Sequence, residues 1–258
     1  MKMNKQTFWQ IIDRAREKAD GFIFDINPAV GWLGMGKVLI NELSMFGAAD
    51  LFKWQRMLYF YRELLDKSKL WAAVHVINGK CSDSGFDFFR NWLIAQGKDV
   101  VLKTLRDPES LASLEICERG CNQFETLSYV AEEAYKARFG GDYKQFYADF
   151  EKSPRLREAI KKEIISEVVY ADDIDIDLSK GDNLLNLLPR LCKKFKWTGR
   201  SNVYIASTGS VHDGTGNMSI QLPDNGRDIS DYSGDEIMEI LINDMRIENK
   251  IILKARKR

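Results

Sequence analysis

Hydrophobic residues recur at the spacing of an amphipathic helix through the first two-thirds of the chain. Asn122 and Glu125 flank the start of one such helix, and Gly140-Gly141 marks its end. Its apolar face consists of Phe124, Leu127, Ala131, Ala134 and Tyr135. Strand-like alternation is nearly absent here, apart from residues 22–26. The pattern therefore predicts a multi-helix domain over residues 1–168.

Helix start signals recur along this region. Thr7 and Gln10 have the spacing of a capping box. Asp107 and Ser153 each precede a proline, which is tolerated in the first helical turn because that turn needs no amide donor there. We therefore expect helices to begin near each of these three sites.

The segment 84–95 is apolar on most sides, which is typical of the buried central helix of a helical domain. Its polar positions are Asp87, Arg90 and Asn91. A charge that is buried without a partner is costly. We therefore expect these side chains to be paired inside the domain.

The pattern changes after Tyr170. Residues 169–196 read as an acidic linker followed by a helix that Pro189 interrupts. Residues 197–258 read as a small α+β segment with the order β-β-α-β. Its predicted elements are strands at 203–205 and 218–222, a helix starting at Ser233 and a last strand at 250–255. The predicted fold class is mainly α with this small C-terminal segment.

Composition excludes several classes of protein. The 258 residues are 45% hydrophobic, which indicates a globular chain, and 38 basic residues balance 38 acidic ones. This balance argues against a nucleic-acid partner, because such binding needs a clustered basic surface. No apolar run approaches the ~18 residues of a membrane span, and charges at Asp13, Arg14 and Arg16 interrupt any signal-peptide core. With four scattered cysteines, which read as reduced thiols, we expect a cytoplasmic protein without a membrane partner.

Two sequence motifs resemble ligand-binding loops but are incomplete. The run from Gly31 to Lys37 has the glycines of a phosphate-binding loop, but Val38 stands where Ser or Thr would hold magnesium. A glycine-rich turn before a helix is the alternative. Asp173, Asp175 and Asp177 match the first ligands of a calcium loop. Its required glycine and final glutamate are missing, so an acidic surface loop is expected.

Cysteine and histidine supply no complete site. Cys117 and Cys121 could join Cys81 and His75 in a zinc set, but structural zinc sites usually show two close-spaced pairs and this chain shows one loose pair. A Cys81–His75 nucleophile pair would also need an oxyanion donor and an orienting residue, and neither can be identified. We therefore predict no metal, no cofactor and no catalytic set.

The densest polar cluster lies where the predicted central helix begins. In the structural interpretation, Ser82, Asp83 or Ser84 caps the helix, with Ser84 and Asp87 as a capping box, and Asp87 pairs with Arg90. In the functional interpretation, the same side chains face a ligand at the positive end of the helix dipole. The candidate ligand-binding residues are His75, Cys81, Ser82, Asp83, Asp87 and Arg90.

This cluster also carries a family resemblance. The residues Trp71-Ala72-Ala73, Gly79, Cys81-Ser82-Asp83, Phe86, Phe89-Arg90, Trp92-Leu93-Ile94 and Gln96-Gly97 resemble the signature of a bacterial family, the domain of unknown function 4240. The resemblance covers about residues 1–140. It implies a bacterial, cytoplasmic setting and brings no established activity. Ser84 stands where the family usually has a second Asp, which weakens any paired-carboxylate mechanism.

Two functional hypotheses follow. The first is a non-enzymatic binding or interaction module of regulatory or immunity type, with a protein partner, because no catalytic constellation is complete. The second is an enzyme or a small-anion or ligand-binding protein that uses the polar cluster at the start of the 84–95 helix. The sequence leaves the partner, the substrate and the oligomeric state open.

Overall fold

The structure is a computed structural model that describes residues 2–19, 28–78, 81–114, 122–171, 182–197, 203–207 and 217–221. The first six helices are α1 Lys5–Lys18, α2 Pro28–Leu43, α3 Ala48–Leu64, α4 Ser68–Asn78, α5 Asp83–Ala95 and α6 Lys98–Arg106. Two 3₁₀ helices follow, η1 Pro108–Ser113 and η2 Glu125–Ser128. The remaining helices are α7 Val130–Phe139, α8 Tyr143–Lys152, α9 Glu158–Ile165, α10 Asp182–Leu187 and α11 Pro189–Lys194.

The chain divides into two compact units, Met1–Ile176 and Asp177–Arg258. Every described element of the first unit is helical, so the mainly helical class predicted from the sequence is confirmed. No described helix is long and apolar enough to cross a bilayer.

Helix α5 lies in the core of the first unit, as its sequence predicted. Seven of its ten residues from Phe86 to Ala95 are buried, and Asp87, Phe88 and Arg90 are half-buried. The buried amide of Asn91 donates to the backbone oxygen of Phe124, at 3.1 Å, and to Ser128 Oγ, at 2.8 Å. The amide of Phe124 donates to the oxygen of Phe88, at 3.0 Å. These bonds fix the segment that leads into α7 against the central helix.

Two aromatic groups hold the surrounding helices together. Phe8 of α1 packs on Trp54 and Tyr61 of α3, and the indole nitrogen of Trp9 donates to the Tyr61 hydroxyl at 2.8 Å. A second group joins α3, α7 and α8 through Phe52, Tyr135, Phe146 and Phe150. Each buried ring contributes about 1.5–3 kcal/mol through removal of apolar area from water.

The helix signals were partly correct. Asp107 caps η1 before Pro108, with Oδ1 accepting from the Glu109 amide at 3.0 Å, as predicted. The apolar face predicted for the helix after Asn122 is buried, but the structure divides this helix into η2 and α7, and Gly140 ends α7 at a φ of 73°.

One predicted cap and one predicted helix start are wrong. Asn4 rather than Thr7 caps α1, because its side-chain oxygen accepts from the Thr7 amide at 2.8 Å. Ser153 ends α8 instead of starting a helix, because its hydroxyl donates to the Phe150 oxygen at 2.6 Å. The next helix begins at Glu158.

The glycine run also departs from both sequence interpretations. Residues Gly31 to Lys37 lie inside α2, so they form neither a phosphate loop nor a turn before a helix. Gly36 lies against η2, where a Cβ would be 2.7 Å from Thr126 Cγ2. The close packing of α2 on η2 therefore explains why position 36 is a glycine.

In the second unit, α10 and α11 meet at Pro189, as the sequence predicted. Val203–Ser207 pairs antiparallel with Asn217–Gln221, with Val203 opposite Gln221. The helix and last strand expected after residue 221 lie outside the described residues, as do the 22–26 segment and the connecting loop. The β-β-α-β arrangement therefore stays a prediction.

Candidate functional site

The polar cluster predicted as a site lies at the N-terminus of α5. Ser82 is the N-cap, and its Oγ accepts from the Gly85 amide at 3.1 Å. The hydroxyls of Ser82 and Ser84 are 3.3 Å apart. The capping box predicted for Ser84 and Asp87 is wrong, because the Asp87 carboxylate is engaged elsewhere. One amide at this helix end is already satisfied by the protein itself.

Asp87 is held between two arginines. Its Oδ2 is 2.7 Å from Nη2 of Arg62, and its Oδ1 accepts from Nη2 of Arg90. Arg90 also donates through Nη1 to the Arg62 backbone oxygen at 2.9 Å. Burial alone would raise the pKa of Asp87, but the hydrogen bonds and charges of Arg62 and Arg90 outweigh it and lower that pKa. Asp87 is therefore an ionised structural partner at neutral pH.

Arg90 faces the interior of the domain. Its guanidinium lies 4.6 Å from the Phe86 ring centre, and its side chain is 12% exposed. Nη1 lies 3.7 Å from Oδ2 of Asp66, a further carboxylate on its outer side. The sequence predicted the Asp87–Arg90 pair correctly. It did not predict the contacts of Arg62 and Asp66, because Arg62 lies in α3 and Asp66 follows that helix.

His75 and Cys81 are both buried. Burial lowers the pKa of His75 and thus favours the neutral imidazole. Burial, assisted by the Asp83 charge and opposed by Arg90, raises the pKa of Cys81 to about 12. The Cys81 thiol donates to the Ser82 oxygen at 3.5 Å. A thiol with this pKa stays protonated at neutral pH and is a poor nucleophile.

Asp83 is the open member of the cluster. Its carboxylate is exposed and takes part in no hydrogen bond or ion pair among the described residues. A negative side chain in the first turn of α5 already complements the positive end of the helix dipole. The arrangement therefore favours the capping and pairing interpretation of this cluster.

Among the described residues, no group of three His, Cys, Asp or Glu side chains is placed to hold a metal ion. Cys117, Cys121 and the aspartates at 173, 175 and 177 lie outside the described residues. So does His212. The prediction that these incomplete motifs hold no metal therefore stays a prediction.

A different site lies beside η2. It is a cleft of about 480 Å³ whose walls come from η2, α7 and the start of α8. The residues that line this tyrosine–glutamate cleft are Glu125, Thr126, Tyr129, Glu132, Glu133, Tyr143 and Tyr147. Tyr129 and Tyr143 are 43% and 53% exposed, so their rings present open aromatic surface to the cleft.

The charge of the cleft is negative. Glu132 and Glu133 share one cation, because Nζ of Lys136 lies 2.7 Å from a carboxylate oxygen of each. Glu125 is exposed and makes no ion pair with a described residue. Burial raises the pKa of Tyr147 to about 12, with further contributions from Tyr59 and from the charge of Glu132. The phenol therefore stays neutral, and the net negative charge resides on the glutamates.

Both walls of the cleft are anchored in the core. The η2 wall is held by Asn91 through Ser128 and Phe124, and it packs against Gly36 through Thr126. The α8 wall is tied to α7 by the Tyr135 hydroxyl, which donates to Oδ2 of Asp149 at 2.8 Å. Walls fixed in this way need little ordering when a ligand binds.

The α8 wall is also tied to α3. Nη2 of Arg56 donates to the backbone oxygens of Phe150 and Ser153, at 2.7 and 3.0 Å. The same guanidinium lies 4.2 Å from the Phe150 ring centre. Together with the aromatic packing between the helices, these bonds fix the position from which Tyr143 and Tyr147 reach the cleft.

The sequence contains a pattern of polar and aromatic residues that indicates this cleft, and the prediction from apolar spacing did not consider it. Glu125, Tyr129, Glu132 and Glu133 follow one another at helical spacing, and so do Tyr143 and Tyr147. Exposed tyrosines in such stripes mark a polar aromatic surface. That the two stripes face each other depends on how α8 packs on α7, which spacing alone does not determine.

The family signature described as Protein of unknown function (DUF4240) matches residues 3–137. The chain belongs to this family. The DUF4240 match runs from α1 almost to the end of α7, so it includes the α5 cluster and the η2 and α7 wall of the cleft. Tyr143 and Tyr147 follow the DUF4240 match. Comparison with curated proteins and with solved structures gave no match.

Proposed function

We propose that this DUF4240 protein is a non-enzymatic interaction module that binds a protein partner through the tyrosine–glutamate cleft. The observation that carries the proposal is the exposure of Tyr129 and Tyr143 beside a cleft with anchored walls. Tyrosine is enriched at protein interfaces, because it gives a large contact area at low conformational cost together with a polar hydroxyl. The groups of the α5 cluster are mostly used inside the domain, which supports a non-enzymatic role.

The proposed setting is the cytoplasm of a bacterium, in a regulatory or immunity-type role. The buried Cys81 thiol, which forms no disulfide, supports a reducing compartment. The balanced overall charge supports a protein partner over a nucleic acid. The proposed domain organisation is a helical domain to residue 168, a linker and helix to 196, and a small α+β segment beyond.

The alternative is an enzyme or ligand-binding site at the start of α5. Its support is the exposed Asp83 carboxylate, which lies beside the buried Cys81 thiol. Ser82 is used as the helix cap, and Asp87 and Arg90 are bonded to Arg62. Asp83 would therefore have to bind or react with the ligand without these three predicted site residues. We therefore place the interaction module first.

Site-specific photocrosslinking tests the proposal. Benzoylphenylalanine is placed at Tyr143 in the cleft, and in a control chain at Phe139, an exposed aromatic residue of α7 that does not line the cleft. We expect a single protein to crosslink at Tyr143 and none at Phe139 in the cells that make the protein. The purified partner should then bind the wild-type chain and lose at least about tenfold in affinity to the Tyr143→Ala variant.

Two results would refute the interaction module. One is equal crosslinking at Tyr143 and Phe139. The other is a purified partner whose affinity is the same for wild type and Tyr143→Ala, provided that thermal unfolding shows the variant to be folded.

A further inference from the structure

The carboxylates of the cleft are unevenly neutralised. Lys136 serves both Glu132 and Glu133, whereas Glu125 has no ion-pair partner among the described residues. The other lysine near the rim, Lys144, lies 5.9 Å from the Tyr143 ring centre. Lys144 lies in the same turn of α8 as Tyr143, and it makes no ion pair with a described glutamate. The cleft therefore keeps an unbalanced negative charge beside aromatic rings.

The lining discriminates among classes of ligand. Three glutamates repel a phosphate or a carboxylate. A bare metal ion would need a clustered set of ligands, and the described residues contain no group of three suitable side chains. A cation with an apolar or planar body satisfies both parts of the site, because a tyrosine ring attracts positive charge to its face while a carboxylate pairs with it.

Among biological cations, a guanidinium fits this combination best. It is planar, stacks on aromatic faces and presents paired N–H donors to one carboxylate, whereas an ammonium is a compact and strongly hydrated charge. The interior of the same protein shows a guanidinium over an aromatic ring at Arg56 and Arg90, and Arg90 combines it with a carboxylate pair. The guanidinium of Arg56 lies 4.2 Å from the Phe150 ring, and that of Arg90 lies 4.6 Å from the Phe86 ring while it pairs with Asp87.

We propose that the cleft receives an arginine side chain of the partner, with the guanidinium paired to Glu125 and stacked against the tyrosine rings. This inference rests on the proposed interaction function and names the chemistry that the cleft recognises. Glu132 and Glu133, shared by Lys136, supply the surrounding negative field. The fixed walls present these groups without reorganisation, so a short arginine-bearing segment is a sufficient ligand.

The test uses a fluorescein-labelled peptide of alternating arginine and glycine, titrated with the full chain and followed by fluorescence anisotropy. Two control peptides replace arginine by lysine or by citrulline, which is neutral but has nearly the same shape. We expect the lysine peptide to bind about threefold more weakly. The citrulline peptide should bind at least about tenfold more weakly, because it loses the charge for both the carboxylate and the rings.

Matched variants locate the binding. Glu125→Gln removes the unpaired carboxylate, and Glu17→Gln removes an exposed glutamate of α1 as the control. Tyr143→Leu removes an aromatic face but keeps apolar bulk, and Phe139→Leu is its control. We expect about a threefold loss of arginine-peptide affinity for each cleft variant and no change for either control.

Several outcomes would overturn the inference. Absence of arginine-peptide binding would do so, as would equal binding of the lysine peptide, which would indicate attraction to a point charge alone. Equal losses for Glu125→Gln and Glu17→Gln would indicate an effect of net charge. If the crosslinked partner depends on Tyr143 but is insensitive to citrulline at each of its arginines, the interaction module stands and the arginine recognition fails.

Discussion

Replacing Asp87 by Asn tests whether the two arginines of the α5 network depend on a single carboxylate. The variant keeps the shape of the side chain and removes its charge. Arg62 and Arg90, whose side chains are 16% and 12% exposed, then face each other with like charge. Asp66, at 3.7 Å from Arg90, is the remaining carboxylate nearby.

The magnitude follows from burial. Breaking a fully buried ion pair costs about 3–5 kcal/mol, and breaking an exposed one costs about 0–1 kcal/mol. The Asp87 side chain is 38% exposed, so water screens part of the effect. We expect a loss of about 2 kcal/mol in the free energy of unfolding, which for a chain of this size lowers the melting temperature by about 4–8 °C.

Urea and thermal unfolding, followed by circular dichroism, measure this loss. Asp66→Asn is the matched control, because Asp66 is 59% exposed and more distant from Arg90. Its expected cost is below about 0.5 kcal/mol. Equal costs for the two variants would refute the central position of Asp87 in the network.

The pH dependence gives a second measure of the same network. The pKa of Asp87 is lower in the folded chain than its ordinary value of 3.8. The stabilisation by its charge is therefore complete above that ordinary value and is lost as the pH falls through the folded-state pKa. The stability difference between wild type and Asp87→Asn should be constant near neutral pH and shrink below about pH 4. A difference that is independent of pH would contradict the charge-based explanation.

Two further predictions concern α5 and α2. Ser82→Ala should cost about 1 kcal/mol in urea unfolding through loss of the cap, whereas Asp83→Ala should change stability by less than about 0.5 kcal/mol; equal costs would contradict the assignment of Ser82 as the cap. Gly36→Ala should destabilise the chain by about 1 kcal/mol, because the clash with Thr126 outweighs the gain in helix propensity. In a Thr126→Ser background, which lacks the clashing methyl group, the same change should be neutral or stabilising, and an unchanged cost would refute the contact.

Local patterns predicted those parts of the fold whose causes are local. The burial of α5 followed from its apolar stripes, and the Asp87–Arg90 pair followed from i, i+3 spacing on one helix. The cap at Asp107 followed from the proline after it. The capping box predicted at Thr7 is wrong. The Thr7 amide, from which the Gln10 side chain would accept a hydrogen bond in such a box, donates instead to the side-chain oxygen of Asn4.

Tertiary packing decided the features that spacing could not predict. The membership of Arg62 in the α5 network depends on how α3 lies beside α5, and the place of Gly36 depends on the approach of η2. The cleft is the clearest case, because its tyrosines and glutamates stand in two separate helical stripes. Their juxtaposition arises only when aromatic packing and the Tyr135–Asp149 hydrogen bond set α8 against α7.

The division of the cleft between two segments has a functional consequence. The wall that carries Glu125 and Tyr129 lies within residues 3–137, which match the DUF4240 signature, and its position depends on the core helix α5 through Asn91. The wall that carries Tyr143 and Tyr147 follows the match and is attached by side chains of α3 and α7. Charge therefore comes from the family scaffold, and most of the aromatic surface comes from the adjoining helix. We expect substitutions of Tyr143 and Tyr147 to change which partner binds while leaving the fold of the scaffold intact, because these tyrosines are exposed or half-buried and the core contacts of η2 do not involve them.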